Sequence, residues 1–206
     1  MHIVDGVLSP QVLLVGTTAA AGGVAVGLRR LQPDDIPRVG LLSAVFFVAS
    51  LVHVPVGPAS IHLVLLGLMG VLVGWASFPA LLVGLLMQAV MFGYGGITVL
   101  GVNTLNMALP AVLCSHIFGP LLRRSGPQLS VVLGFLAGVV AVSLSGFMVA
   151  MALALSGEAF TLAAKATVAA HVPLMLVEGV VTAAAIGLLR RVSPSALSRG
   201  TPPAAP

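Results

Sequence analysis

The sequence predicts an all-α integral membrane protein, a bundle of about seven transmembrane helices. The first observation is composition. Of the 206 residues, 59% are hydrophobic and only 7% are charged, and the mean hydropathy is +1.17. Soluble domains are usually about 45–50% apolar and about 25% charged, so this chain has too few charges to solvate a surface. Lipid is therefore expected to be the solvent over most of it.

The second observation is a series of seven apolar segments. A lone segment in lipid must satisfy its own backbone hydrogen bonds, so each segment is predicted to be a helix. Since about 20 residues cross the hydrocarbon, the second, third and fourth segments are short and are expected to be tilted or broken, and the sixth is overlong. The seven segments cover residues 11–31, 38–53, 60–75, 79–93, 102–122, 128–156 and 161–189.

The third observation is the placement of the nine basic residues. With seven spans, Lys165 is alone on one side, and the arginines all fall on the other side, which the positive-inside rule makes cytoplasmic. The N-terminus is then outside, inserted into the bundle, and the C-terminus is cytoplasmic. One membrane domain is expected over 1–192, followed by a disordered Pro/Ala/Ser-rich tail over 193–206. The arginines are Arg29, Arg30, Arg38, Arg123, Arg124, Arg190, Arg191 and Arg199.

The N-terminal residues form a potential chelator. The terminus lacks the basic region and cleavage site of a secretory signal, and the bulky His2 is expected to preserve Met1 with its free amine. The Met1 amine, the His2 amide nitrogen and the His2 imidazole Nδ1 can close fused five- and six-membered rings on one divalent metal. The turn at Asp5 and the helix start at Ser9 argue against a floppy end.

A fourth nitrogen is expected from His62. Ser60 is a natural N-cap, which would place His62 at the second position of the third helix, near the outer membrane face and on the side of Met1. Tetragonal nitrogen coordination suits Ni(II) and Cu(II).

Other polar residues leave alternatives open. His53, at the outer end of the second segment, is either a partner of the site on the metal's entry path or an interfacial residue. His116 lies toward the cytoplasmic side and is expected to be structural. His171 and Glu178 share a helix face, because they are seven residues apart, and they either contribute to function or brace the bundle.

The segment from Gly93 to Met107 carries four glycines and two asparagines at membrane depth. Irregular backbone cannot face lipid, so this segment must line a cavity or pack against another polar segment. The N-terminal segment is the expected partner, with Asn103 and Asn106 bonding its backbone or holding the ligands.

Several functions are excluded by what the sequence lacks. There is no GxxxxGK[ST] motif, so the chain is not expected to hydrolyse ATP through a P-loop. One cysteine, Cys114, excludes an internal disulfide and a cysteine-based metal cluster. Too few polar residues lie at membrane depth for an intramembrane enzyme. The basic residues lie between apolar segments, which indicates topology and not a nucleic-acid surface.

Four motifs resemble the CbiM/NikM family, the substrate-binding membrane components of energy-coupling factor transporters for cobalt and nickel. The resemblance runs over essentially the whole chain. The motifs are Met1-His2-Ile3-x-Asp5-Gly6-x-Leu8-Ser9-Pro10, Pro55-x-Gly57-x-x-Ser60-x-His62-Leu63, Gly95-Gly96-x-Thr98-x-Leu100-Gly101-x-Asn103-x-x-Asn106-Met107, and Ala170-His171-x-Pro173 with Glu178-Gly179.

The resemblance implies seven spans in a bacterial inner membrane, and no enzymatic activity or resident cofactor. It implies that Co(II) or Ni(II) is the cargo and that Met1, His2 and His62 hold it. The implied partners are a transmembrane coupling protein (EcfT/CbiQ type), ATPase subunits (EcfA/CbiO type) and a small membrane subunit (CbiN type). The amino-acid sequences of the segments 53–58 and 101–106 resemble those of members described as cobalt transporters, whereas a site made of nitrogen ligands favours nickel. The role of His53 does not carry over, since some relatives have asparagine there.

Two other interpretations remain. One is a vitamin-binding component of the same transporter class, although 5% aromatic residues are few for such a pocket. The other is a passive channel or packing subunit, for which Met1 and His2 would have no importance.

Overall fold

The computed structural model describes residues 2–51, 53–56, 59–193 and 197. Met1 and most of the predicted tail over 193–206 lie outside the described residues. Within them the chain forms seven α-helices and one small antiparallel sheet. The helices are α1 Pro10–Arg30, α2 Ile36–Ala49, α3 Leu66–Val73, α4 Ser77–Phe92, α5 Leu100–Arg124, α6 Pro127–Ala154 and α7 Thr161–Val192. The strands are β1 His2–Ile3, β2 His53–Val56 and β3 Ala59–His62, and short 3₁₀ turns cover Pro33–Asp35, Gly74–Ala76 and Glu158–Phe160.

The helix ends follow local sequence signals. Ser9 caps α1, since its hydroxyl accepts a hydrogen bond from the Val12 N–H at 3.5 Å, and Pro10 occupies the first helical position. At the end of α4, Gly93 adopts the left-handed conformation that closes many helices. Arg123 and Arg124 lie in the last turn of α5, where cations are favoured by the helix dipole.

The prediction of a helical, multi-pass membrane protein is confirmed. Within the described ranges, five helical stretches are long and apolar enough to cross a membrane. They are Pro10–Arg30, Leu66–Phe92, Leu100–Arg124, Pro127–Ala154 and Glu158–Val192. The predicted third and fourth segments thus form one such stretch, divided by the 3₁₀ turn at Gly74–Ala76 into α3 and α4. The second predicted segment, 38–53, is helical only up to residue 49, because α2 covers Ile36–Ala49.

The predicted start of the third helix is wrong. Residues 59–62 form β3, so Ser60 is not a helix N-cap and His62 is not at the second helical position. The end of the second predicted segment is also wrong, because His53 begins β2. β3 lies between β1 and β2, with His2 opposite Ser60 and His53 opposite His62. Pairing with neighbouring strands supplies backbone hydrogen bonds here, which removes the need for a helix.

Close helix packing places α3 inside the bundle. α3 contacts α5, α6 and α7, and most of its residues are buried. A Cβ added at Gly70 would overlap the backbone of Ala111 on α5, so glycine permits this approach.

α2 and α4 lie side by side and run in the same direction. The Ser43 hydroxyl donates to the Ala80 carbonyl at 2.8 Å, and further along both helices the Gln88 amide donates to the Ser50 hydroxyl. Because α2 and α4 are parallel, the chain between them must return across the depth of both helices. β2 and β3 form a hairpin that ends at the level where it begins, because His53 pairs with His62, so the return is made after β3, through α3.

Polar and apolar surfaces are distributed as lipid solvation requires. Large apolar side chains are exposed on the outer faces of the helices, among them Leu14, Leu162 and Val180. Fully buried positions include polar groups such as Glu178 and Gln88. Burial of polar groups beneath an apolar exterior is the arrangement that a hydrocarbon environment favours.

Replacing Gly70 by alanine is expected to destabilise the fold by about 1–3 kcal/mol through overpacking against Ala111. Thermal unfolding in detergent, followed by the fluorescence of Trp75, should show a lower midpoint than wild type. Gly22→Ala is the control, because a Cβ at Gly22 meets nothing within 4 Å. Equal midpoints for the Gly70 and Gly22 variants would contradict the packing argument.

Candidate metal centre

The N-terminal segment is docked against α5 by a side-chain amide. The Ile3 N–H donates to Asn103 Oδ1 at 2.9 Å, and Asn103 Nδ2 donates to the Ile3 carbonyl at 3.0 Å. Asn103 therefore bonds the backbone of β1 as a neighbouring strand would. The other neighbour of β1 is β3. Ile3 and Asn103 are both buried. The predicted docking of the N-terminal segment on the region around Asn103 is confirmed.

A second attachment is made by Asp5. Its N–H donates to the Gly95 carbonyl at 2.9 Å, and its Oδ1 accepts from the Thr98 hydroxyl at 2.5 Å and from the Val99 N–H at 3.2 Å. The carboxylate lies just before the N-terminus of α5, where negative charge is favoured. A Cβ at Gly96 would overlap this carboxylate, and Gly96 has a φ of +138°. Both facts require glycine there.

The role of Asp5 exceeds the turn that its sequence predicts. A carboxylate in a short polar segment that must dock in a membrane needs hydrogen-bond donors. The Thr98 hydroxyl, in the glycine-rich segment, was a donor that the sequence offered for Asp5. The pairing itself spans 93 residues and has no sequence signature.

His2 and His62 are brought together by the sheet. Both are buried, at 2% and 3% exposure, and His2 Nδ1 lies 3.2 Å from His62 Nε2. The two ring centroids are 5.1 Å apart. Tyr94 stacks on His2, with centroids 6.1 Å apart, and Phe46 lies 6.1 Å from His62. These rings keep water from the facing nitrogens.

The spacing of these nitrogens is that of an N–H···N hydrogen bond, and it also suits one metal ion held between them. Nitrogens that are each roughly 2.0–2.1 Å from a metal and subtend about 90–110° lie about 2.9–3.4 Å apart. The observed separation of 3.2 Å falls within this interval. His62 Nδ1 is 3.2 Å from the Leu63 carbonyl, and when protonated it donates there, which leaves the Nε2 lone pair directed at the site.

Within the described residues, no group of three or more His, Cys, Asp or Glu side chains is placed to hold a metal ion. Met1 lies outside the described residues. The backbone of His53 lies opposite that of His62 in the sheet.

Asn106 follows Asn103 by one turn of α5 and is also buried, at 3% exposure. Its Nδ2 atom has no hydrogen-bond partner within the described part of the chain. The structure thus gives Asn103 a clear role in docking, whereas Asn106 supplies an uncommitted donor on the same helix.

His116, His171 and Glu178 have other surroundings. His116 Nδ1 bonds the Val112 carbonyl at 2.8 Å within α5. His171 Nδ1 bonds the Thr167 carbonyl at 2.6 Å, and its ring lies where a Cβ at Gly146 would be. Glu178 Oε1 accepts hydrogen bonds from the N–H groups of Val64 and Leu65. His171 and Glu178 share a face of α7; Glu178 bonds the segment before α3, and one hydrogen bond of His171 lies within its own helix.

Comparison with known proteins identifies the family. Residues 2–196 match the model of CbiM, described as a cobalt uptake substrate-specific transmembrane region. The chain belongs to the CbiM family. Membership makes it a transport protein of cobalt and nickel uptake and not an enzyme, as the four motifs predicted.

Named relatives include transporters of both metals. The chain is 38% identical to a putative metal transport protein of Haemophilus influenzae, over 97% of this chain and 98% of that one. It is 37% identical to the cobalt transport protein CbiM of Sorangium cellulosum, over 97% and 95%. It is 33% identical to the fused nickel transport protein NikMN of Rhodobacter capsulatus, over 100% of this chain and 66% of that one.

The fold is also shared with solved structures. A crystal structure of a transition metal transporter superposes with a TM-score of 0.77 and 27% identity, covering 95% of this chain and 93% of that chain. A truncated transition metal transporter gives a TM-score of 0.75, also at 27% identity, covering 95% and 99%.

Replacing Asn103 by alanine is expected to release the N-terminal segment. The substitution leaves the buried N–H and carbonyl of Ile3 without side-chain partners, at about 1–3 kcal/mol for each group. Hydrogen–deuterium exchange of residues 2–6 should become faster than in wild type. Ser143→Ala is the control, because the one partner of that hydroxyl among the described residues is the Val139 carbonyl of its own helix. Unchanged exchange would show that Asn103 does not hold the segment.

Proposed function

We propose that the chain is the substrate-binding membrane component of an energy-coupling factor transporter that imports cobalt(II), with nickel(II) as the alternative cargo. Family membership supports the transport class. The observation that carries the metal site is the 3.2 Å separation of two buried imidazole nitrogens, His2 Nδ1 and His62 Nε2. The fit of this separation to one metal ion is the geometric argument for the proposal.

The proposed site has four nitrogens. The Met1 amine, the deprotonated His2 amide and His2 Nδ1 chelate the metal through two fused rings, and His62 Nε2 supplies the fourth bond. Loss of the amide proton partly neutralises the divalent charge, which lowers the cost of holding the ion in a buried position. The amine completes the site only when the chain starts at Met1.

Cobalt is placed first because the amino-acid sequences of the segments 53–58 and 101–106 and the description of the family model both favour it. Nickel is the alternative because an all-nitrogen, tetragonal site matches its coordination preference. The nickel relative of Rhodobacter capsulatus shows that related chains serve that metal too. A vitamin cargo is disfavoured by the 5% aromatic content.

Seven membrane crossings with the N-terminus outside are part of the proposal. α2 and α4 run parallel, which supports a return crossing between them by the segment that contains α3. The ends of α5 and α7 meet where the Arg190 guanidinium donates to the Leu122 carbonyl, and Arg30 at the end of α1 lies 5.2 Å over the ring of Trp75. These basic ends are proposed to face the cytoplasm, as the positive-inside rule favours.

The proposed partners divide the work of transport. A coupling membrane protein and two ATPase subunits would supply ATP hydrolysis, for which this chain has no P-loop. A small N-type subunit is also proposed, because some relatives are fused M and N chains. The proposed location is the bacterial inner membrane.

Adding one alanine before Met1 is expected to abolish metal uptake, because the amine moves out of chelating reach of the His2 imidazole. Uptake of radioactive cobalt by cells that express the complete transporter is the measurement. A variant with one alanine added after Pro206 is the control. Full uptake by the N-terminally extended variant would refute the proposed ligand set.

His62→Ala is expected to lose far more affinity than the roughly 10–100-fold that outer partners of metal ligands contribute. His116→Ala should bind as wild type does, since the hydrogen bonds of His116 to described residues go to Val112 and Ser115 of its own helix, α5. Calorimetric titration of purified protein with Co(II) and with Ni(II) measures both variants. Equal affinities for the two variants would exclude His62 as a ligand.

Metal preference is tested by elemental analysis of wild-type protein purified from medium with equal Co(II) and Ni(II). An excess of bound cobalt is the expected result. An excess of nickel would support the alternative cargo, and protein free of both metals would contradict the proposed function.

A further inference from the structure

A buried carboxylate on α7 has no part in the proposed ligand set. Glu178 is 0% exposed and lies in the interior of the bundle. A charged side chain within a membrane domain is costly, so its retention calls for specific partners. Two of these partners are known from the structure, and both are backbone groups near His62.

The partners of Glu178 belong to the corner between β3 and α3. Its Oε1 atom accepts from the Val64 N–H and, at 2.7 Å, from the Leu65 N–H. These residues follow His62, the last residue of β3, by two and three positions. The carboxylate of α7 is therefore connected directly to the chain that carries the proposed ligand.

The corner needs such a partner because of its backbone conformation. Leu65 has a φ of 57° and a ψ of 32°, the left-handed region, and it is the one non-glycine residue with positive φ in the described ranges. It occupies the N-cap position of α3, where its apolar side chain cannot cap the helix. Glu178 supplies from another helix an acceptor for the N–H groups of the N-cap residue Leu65 and of Val64 before it, both of which precede the first helical turn.

The support for the corner is rigid on the side of α7. A Cβ at Gly138 on α6 would lie 2.6 Å from the Glu178 carbonyl, and a Cβ at Gly67 on α3 would lie 2.6 Å from the Gly138 nitrogen. Helices α3, α6 and α7 thus approach one another closely around Glu178. A carboxylate on this packed base can fix the corner in one position.

We propose that Glu178 is a positioning residue for the metal site: by bonding Val64 and Leu65, it holds His62 so that Nε2 faces Nδ1 of His2. The inference rests on the proposed metal-binding function. It assigns Glu178 a role through the backbone and not as a ligand. The two oxygens have different environments, since Oε2 has no hydrogen-bond partner within the described residues.

The test uses purified full-length protein and Ni(II) alone as the probe, with calorimetric affinity and the visible absorption of bound Ni(II) as readouts. Glu178→Asp keeps the charge but withdraws the acceptor by one methylene, so binding should weaken by roughly 10–100-fold and the absorption band should shift. Glu178→Gln keeps an acceptor oxygen at the same reach, so it should stay within about threefold of wild type and retain the band.

Thr182→Val is the matched control, because Thr182 is equally buried one turn further along α7 and its hydroxyl has no hydrogen-bond partner in the described part of the chain. It should leave affinity and absorption unchanged. Gel filtration restricts the measurements to folded, monodisperse protein. A merely structural role for Glu178 would lower thermal stability without altering the absorption of the folded fraction.

The outcomes separate the two proposals. Wild-type affinity and absorption in folded Glu178→Asp would overturn the positioning role while leaving the metal site intact. If Glu178→Asp does not fold, Glu178→Gln decides, and a tenfold loss of affinity in that variant would also overturn it. Wild-type protein that binds no Ni(II) or Co(II) would overturn the proposed function, and the inference with it.

Discussion

The satisfaction of backbone hydrogen bonds away from water is the constraint on which this structure depends. The helices satisfy most of their backbone hydrogen bonds internally, but the segment that carries the proposed site is not helical and needs outside partners. Three polar side chains provide them: Asn103 bonds Ile3, Asp5 bonds the start of α5, and Glu178 bonds the corner before α3. Each joins segments that are distant in the chain. The facing of His2 and His62 is a consequence of these bonds together with the strand pairing.

The sequence predicted the parts of the fold that depend on local composition. The membrane class, most helix positions and the docking of the N-terminal segment near Asn103 follow from apolar length, glycine content and polar residues at membrane depth. The break within the third and fourth segments was also expected from their short length. The strands were missed because an apolar stretch of four residues has no periodicity that separates helix from strand, and the partner of residues 59–60 is the N-terminus itself.

The hydrogen-bond partners of Glu178 could not be predicted from the sequence, for a related reason. Helical periodicity places His171 and Glu178 on one face of α7 and invites the idea that they act together. The structure shows that Glu178 bonds Val64 and Leu65, which are 114 and 113 residues away, while His171 bonds within its own helix. Periodicity reports which face a residue occupies, but a partner on another element is fixed only by tertiary packing. The same limit applies to Asp5, whose turn was predicted and whose bonds to Thr98 and Val99 were not.

The proposed site also explains why acidic residues stand around it in supporting roles. Carboxylate oxygens suit Mg²⁺ and Ca²⁺, whereas imidazole and other nitrogen ligands suit the later transition metals. Asp5 and Glu178 each engage N–H or hydroxyl donors, so their negative charge stabilises backbone that carries the nitrogens. A carboxylate among the ligands would admit the abundant hard cations. Confining the acids to hydrogen bonds leaves His2 and His62 to discriminate by ligand type.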